Sequence, residues 1–264
     1  MRFMDLPESG GIEGTPDSSR GIVMQNVSFI YPNAKHKSVD SVSINIKPGE
    51  TVAIVGENGA GKTTLVRLIM GLYKPTEGTV MINGLDTSKV SSKSLFKNVS
   101  GVFQKYQKYK MTLNDNIRIS DLENTSEVET VAVQSGIEVD SGSFPQGYST
   151  MLSREFDGVD LSGGQWQRIA IARGLYRVHD VIILDEPTAA IDPLEESRIY
   201  RKFSEISRGK TAIIVTHRLG SAKIADRIII MDKGKIAGVG THDELMEKCS
   251  LYNKMFSMQA KWYA

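Results

Sequence analysis

The sequence predicts an α/β protein with a parallel sheet at its centre. Three observations carry that reading. Thr51 to Val55 is an unbroken apolar strand that runs into a glycine-rich loop and then a helix, Lys62 to Met70. Val181 to Leu184 and Thr211 to Val215 are two further apolar runs of strand length. A helix pattern from about Pro193 to Ser207 separates them. Apolar strands that alternate with helices belong to a sheet covered on both faces.

Residues Met1 to Gly21 hold Pro7, Gly10, Gly11, Gly14, Pro16, Ser18 and Ser19, so residues 1–20 read as a weakly ordered linker at a domain boundary. From residue 21 to 264 the chain reads as one domain. Ile22, Met24, Val27 and Phe29 are apolar near period two. Val42, Ile44 and Ile46 alternate with Ser41, Ser43, Asn45 and Lys47. Pro48-Gly49 turns the chain into the strand at Thr51. Val80 to Leu85 is a further strand with an Asn83-Gly84 turn. Ser88 to Asp160 is polar and mixed, with helical pieces. Together with the helix after a second glycine-rich loop (Trp166, Ile169, Ala170, Ala172, Leu175), it predicts an inserted helical subdomain over about 88–178. Arg227 to Met231 and Ile236 to Val239, joined by Asp232-Lys233-Gly234, predict a hairpin. Thr241-His242-Asp243-Glu244 has capping-box spacing and opens a final helix.

The bulk numbers narrow the function. The 264 residues carry a net charge of +1, which gives no support to a nucleic-acid surface. The single cysteine, Cys249, excludes an internal disulfide and fits a reducing compartment. No apolar run reaches the roughly 20 residues needed to cross a bilayer. The N-terminus has no signal-peptide pattern.

The chemistry begins at Gly56-Glu57-Asn58-Gly59-Ala60-Gly61-Lys62-Thr63, a full match to the P-loop pattern in the strand–loop–helix context it requires. Backbone N–H groups there can cradle phosphates at a helix N-terminus. Lys62 supplies a point charge to the outer phosphates and Thr63 a hydroxyl to Mg²⁺. Thr64 completes the nucleotide-binding set. Asp185 and Glu186 emerge at the C-terminal end of the strand from Val181, where α/β proteins place ligands. Asp185 fits a Mg²⁺ ligand, and Glu186 a group that polarises the attacking water. His217 ends the next strand, within reach of a γ-phosphate. Gln104 follows a strand end and can contact Mg²⁺ or water while moving with a lid. Tyr31 offers a ring that could stack on adenine, or simply an aromatic at a sheet edge. The Lys- and Tyr-rich stretch Lys105 to Lys110 reads as a solvated or partner-contacting loop. A second glycine-rich, helix-opening loop, Leu161-Ser162-Gly163-Gly164-Gln165, is surplus to the needs of one nucleotide. It suggests a nucleotide held by another copy of the domain.

These motifs, in this order, resemble the nucleotide-binding domain of an ATP-binding cassette (ABC) transporter. The resemblance covers roughly residues 20 to 260 and is most specific at Leu161–Gln165 lying between the P-loop and Asp185-Glu186-Pro187. It implies a P-loop core with an antiparallel β-subdomain and an inserted helical subdomain. It also implies ATP and Mg²⁺ as ligands, with the metal at Thr63, Gln104 and Asp185. Tyr31 resembles the adenine-stacking aromatic, Gln104 the Q-loop glutamine, Glu186 the catalytic glutamate and His217 the switch histidine. Ser162, Gly163, Gly164 and Gln165 would close on the γ-phosphate of a second copy, in a head-to-tail dimer. Ala189-Ala190-Ile191-Asp192 resembles the D-loop, usually Ser-Ala-Leu-Asp, without its first hydroxyl. Arg154 to Asp160 resembles the X-loop of exporters, and Trp166 is similar to its counterpart in bacterial peptide and lantibiotic exporters. The implied function is an ATP-hydrolysing motor for export of a peptide or small amphipathic cargo. It would act at the cytoplasmic face of a membrane beneath transmembrane domains encoded ahead of the linker. The alternatives are the ATPase subunit of an importer and a non-transport ABC ATPase.

Overall fold

A computed structural model describes residues 11–187, 199–200, 203–205, 207 and 209–260. Two sheets organise it. The smaller is antiparallel and contains β1 (Ile22–Phe29), β2 (Val39–Ile46), β4 (Glu77–Ile82) and β5 (Leu85–Asp86) in the order β2-β1-β4-β5. The larger contains β3 (Thr51–Val55), β6 (Val99–Phe103), β7 (Val181–Asp185), β8 (Thr211–Val215), β9 (Arg227–Asp232) and β10 (Lys235–Gly240) in the order β10-β9-β3-β8-β7-β6. Neighbours from β9 to β6 are parallel, and only the β10–β9 pair is antiparallel.

The strand chemistry explains this split. All five residues of β3, of β7 and of β8 are buried, as the continuous apolar runs require. In β2 the pattern alternates, with Val42, Ile44 and Ile46 inside. β1 departs from strict alternation for a visible reason. Its register against β2 shifts twice between Met24 and Phe29, and Asn26 at that shift has φ 47°. A bulge carries two residues past one partner, so the apolar spacing stretches. The hairpin expected at 227–239 forms, and β9 also joins the parallel sheet beside β3, with Ala53 opposite Ile228.

Among the described residues are the helices α1 (Lys62–Ile69), α2 (Ser92–Phe96), α3 (Leu113–Arg118), α4 (Val128–Gln134), α5 (Gly163–Tyr176), α6 (Leu219–Ala222), α7 (His242–Lys248) and α8 (Ser250–Ala260). α1 buries Leu65, Val66, Leu68 and Ile69 in the core shared by the small sheet and one face of the large sheet. α5 has two apolar faces. Trp166, Ile169, Ala172 and Tyr176 pack with Leu113, Ile117, Val128 and Val131 of α3 and α4. Ala170 and Ile171 pack on Ile182, Leu184 and Ile214 of the large sheet. α5 therefore joins the helical part to the sheet.

Two boundaries differ from the sequence reading. The stretch 88–178 contains β6, a strand of the large sheet, so the helical part begins only after Phe103. Only the end of this strand, Val102-Phe103 before Gln104, was legible, because Ser100 and Gly101 interrupt the apolar run of Val99 to Phe103. Residues 11–20 of the expected weak linker lie against the domain. Ile12 bridges Val90, Gly14 N donates to Ser94 Oγ at 3.1 Å, and Asp17 caps a 3₁₀ turn, Ser18–Arg20. Most of the helix expected at 193–207, and Ala189 to Asp192, lie outside the described residues.

Candidate functional site

β3 delivers the chain to the P-loop, and the loop's geometry depends on glycine at two places. Gly59 has φ 81° and Gly61 φ 100°, left-handed values that other residues adopt at a cost. A Cβ on Gly61 would also lie 2.3 Å from Ser38 O. Gly61 is the N-cap of α1 and brings no side-chain cap. The first N–H groups of α1, which have no intrahelical acceptor, therefore remain aimed at the loop.

Lys62 is 6% exposed, and its ammonium donates to Gly56 O (2.9 Å) and Glu57 O (3.2 Å). Burial pulls its pKa down, and the charges of Glu186 and Asp185 oppose that pull. The same loop carries Thr63, whose Oγ1 donates to Asp185 Oδ1 at 3.4 Å. Thr64 Oγ1 shares a 3.0 Å hydrogen bond with Tyr31 OH.

The acids arrive from β7. Parallel register sets Asp185 between Phe103 of β6 and Val215 of β8. Asp185 is 4% exposed. Burial raises its pKa, and the neighbouring Glu186 charge adds to the rise. Glu186 turns out of the strand with φ 49° while its N–H still donates to Val215 O at 3.0 Å. In that conformation its Oε1 lies 3.5 Å from His217 Nδ1. The His217 hydrogen bond holds the Glu186 carboxyl below the ordinary carboxylate range.

A cleft of about 540 Å³ gathers these parts. Tyr31, Ser38, Asn58, Gly59, Gly61, Lys62, Thr63, Thr64, Gln104 and Glu186 line it. Asp185 and His217 reach it through Thr63 and Glu186. Gln104 is exposed, immediately after Phe103. Tyr31 lines the cleft with its ring set edge-to-face against Phe29 (5.0 Å) and Tyr73 (5.8 Å). Ser38 was missed by the sequence reading. It lies in the polar loop before β2, and its neighbour pattern resembles any turn. The tertiary fold brings it to the cleft wall beside the P-loop, where its carbonyl would meet a Cβ on Gly61.

Ser162, Gly163, Gly164 and Gln165 do not line that cleft. Ser162 is the N-cap of α5, and a capping box is complete: Gln165 N donates to Ser162 Oγ (3.3 Å) and Ser162 N to Gln165 Oε1 (2.9 Å). Gln165 Nε2 also donates to Ser143 Oγ at 2.9 Å. Ser162 and Gly163 are exposed. Tyr106 OH donates to Gly163 O at 2.8 Å, which ties the segment after Gln104 to this loop. Arg154 to Phe156 form a 3₁₀ turn, with Glu155 paired to Lys110 at 2.5 Å and Phe156 exposed. Trp166 is buried in the helical core.

A strand, P-loop and helix facing two consecutive acids at the C-terminal end of the parallel strand β7 define a P-loop nucleotide-binding domain. Residues 39–189 match the family described as ABC transporter. The chain is 42% identical to the subtilin transport ATP-binding protein SpaT of Bacillus subtilis over 96% of its own length and 42% of that protein's. It is 37% identical to the nisin transport ATP-binding protein NisT of Lactococcus lactis subsp. lactis, over 88% of this chain and 39% of the relative. Among solved structures, a bacterial Atm1-family ABC exporter with ATP bound superposes with a TM-score of 0.83 at 31% identity, covering 97% of this chain and 44% of that one. The chain belongs to the ABC transporter family, and it has the fold of that family's ATPase domain. It spans about four tenths of the length of these relatives. Among the described residues no helix is long and apolar enough to cross a membrane.

Proposed function

We propose that this domain binds ATP together with Mg²⁺ in the cleft between Tyr31 and Gln104 and hydrolyses it to drive an exporter. The observation that carries the reading is the meeting of the P-loop, Gln104 and Glu186 in one cleft, with Asp185 bonded to Thr63 and His217 beside Glu186.

The loop N–H groups and the Lys62 ammonium receive the phosphate oxygens. Lys62 exchanges its two carbonyl partners for them, which returns its charge to a strong anionic acceptor. Thr63, Asp185 and Gln104 suit Mg²⁺, a hard cation that takes oxygen ligands. Asp185 supports that fit. Its carboxylate is buried with a neutral hydroxyl as its hydrogen-bond partner, and burial works against its charge. When bound, the ion neutralises charge on the phosphate oxygens. Glu186, held ionised by His217, takes a proton from water as the water oxygen attacks the γ-phosphorus. The bond from that phosphorus to the bridging oxygen breaks, and ADP and phosphate leave. Tyr31 supplies an aromatic edge to the base end of the cleft.

The names of the relatives support a wider setting for the proposal. Partners are a second copy of the domain and the transmembrane domains of the same transporter. The domain sits at the cytoplasmic face of the membrane, and the cargo is a peptide or small amphipathic molecule. Export is favoured over import because the solved relative is an ABC exporter.

The test is Glu186→Gln. It keeps the shape and removes the base, so turnover should fall by about 10²- to 10⁴-fold with ATP binding retained. Turnover in that variant equal to the unmodified protein would overturn the assignment.

A further inference from the structure

The carboxamide of Gln259, near the end of α8, makes two hydrogen bonds to the turn that carries His217. Its Nε2 donates to His217 O at 2.5 Å, and its Oε1 accepts from Leu219 N at 2.9 Å. One side chain thus holds the carbonyl before Arg218 and the N–H after it. Leu219 opens α6, so its N–H has no acceptor within the helix. Leu219 itself is fully buried.

Gln259 is placed by the rest of α8. Tyr252, Met255 and Phe256 pack in the cluster that contains Leu219, Ala222, Ile228 and Ile230. Residues 252, 255, 256 and 259 share one face at helical spacing. Gln259 is the polar member of that otherwise apolar stripe. It sits where the stripe runs out over the turn from β8 to α6. On the other side of the turn, Thr216 Oγ1 accepts from Arg218 N at 3.0 Å. The backbone of His217 is therefore fixed by a threonine within its own turn and by a glutamine 42 residues later in the chain.

We infer that Gln259 is a positioning residue for His217, and that the docked C-terminal helix sets how His217 meets Glu186. The inference rests on the role proposed above for His217. The His217 side chain is half exposed, and its ring nitrogen stands 3.5 Å from Glu186. A contact of that length is sensitive to small backbone movements. A turn released at its carbonyl can rotate the imidazole out of reach without disturbing the cleft that binds nucleotide. Misplacement of about 1 Å from a distant change can lower a rate by about 100-fold.

The protein offers an internal control. It has four histidines. His242 lies against α8, with Nδ1 2.9 Å from Tyr252 OH and its ring 4.9 Å from Phe256. In histidine-labelled protein, the ring resonance of His242 reports whether α8 is docked, and that of His217 reports the turn. Gln259→Met keeps the length and packing of the side chain and removes both hydrogen bonds. The expected result is a moved His217 resonance, an unmoved His242 resonance, an unchanged KM for ATP and a kcat lower by about 10- to 100-fold. Gln259→Glu keeps the acceptor for Leu219 N and removes the donor to His217 O, so it should reproduce the shift and the loss. It decides the matter if His242 also moves in the Met variant.

An unmoved His217 resonance in both variants would overturn the inference. So would wild-type turnover in both, in a protein where His217→Gln does slow hydrolysis. If His217→Gln itself turns over at the wild-type rate, the role of His217 fails, and the inference falls with it rather than through Gln259.

Discussion

At the scale of single residues, the same backbone strand gives two acids opposite surroundings. Asp185 stays in β7 and is buried, so its charged form is disfavoured. Glu186 leaves the strand through a left-handed backbone and meets His217, so its charged form is favoured. The identities of both acids, and of Lys62, Thr63 and Gln104, were legible because the P-loop pattern and a strand end are local signals. The turn of Glu186 toward His217 was not, because a positive φ at a glutamate has no signature in composition. Ser38 and Gln259 were hidden for a related reason: each reaches the site through a tertiary contact with a distant segment. A further residue gives a pH prediction. His179 is 4% exposed, its Nδ1–H donates to Arg177 O at 2.5 Å, and its Nε2 faces the Lys210 ammonium at 3.5 Å. Burial, helped by the Lys210 charge, pushes its pKa down from 6.5 to about 4. The unfolded chain then takes up a proton that the folded chain refuses. The stability present above pH 6.5 is lost as the pH falls toward 4, by about 3 kcal/mol in all. Urea unfolding measured across that range should show this loss, and His179→Gln should flatten the slope. An equal slope in the variant would show that His179 titrates alike in the folded and unfolded chains.

At the scale of elements, α5 carries the most consequence. Its N-terminus is the loop Ser162–Gln165, and its body is wedged between the helical core and the large sheet. Arg173 secures it to the segment after Gln104. Its Nε donates to Asn116 O and its Nη1 to Gln107 O, each at 2.6 Å, and its guanidinium lies over the Tyr109 ring. Gly174 secures it to the sheet, since a Cβ there would stand 2.3 Å from Val102 Cγ2. Gly174→Ala should gain helix propensity yet lose about 1–3 kcal/mol of stability through overpacking. A denaturant midpoint at or above that of the unmodified protein would mean the contact relaxes freely. The capping box at the start of α7 is separate from the cleft. There Thr241 N donates to Glu244 Oε2 at 2.9 Å and Thr241 Oγ1 accepts from Glu244 N at 3.4 Å. Thr241→Ala should cost about 1 kcal/mol with ATP turnover unchanged. That cap was legible from four consecutive residues. The start of the helical part was not, because β6 earns its place by pairing with β7 rather than by an apolar pattern of its own.

At the scale of the whole molecule, the two glycine-rich loops have different fates. The P-loop lines the cleft with Gln104 and Glu186, while Ser162 and Gly163 are exposed away from it at the head of a 14-residue helix. A helix N-terminus presents N–H groups that suit an anion. The cleft of the same chain already supplies such groups from α1. A nucleotide bound there would still be open on the side facing solvent, and the exposed loop of a second copy has the chemistry to cover it. Ser162→Arg tests that arrangement, because it fills the loop without touching the cleft. Binding of ATP by the single chain should remain within about 2-fold, a difference of less than 1 kcal/mol. Turnover should fall by about 10²- to 10³-fold, the loss seen when a donor to a developing oxyanion is removed. In the unmodified protein, the proposed pairing of two copies predicts that turnover per chain rises with protein concentration. Turnover per chain independent of concentration, or severe loss of ATP affinity in Ser162→Arg, would mean that the second loop serves the nucleotide of its own chain.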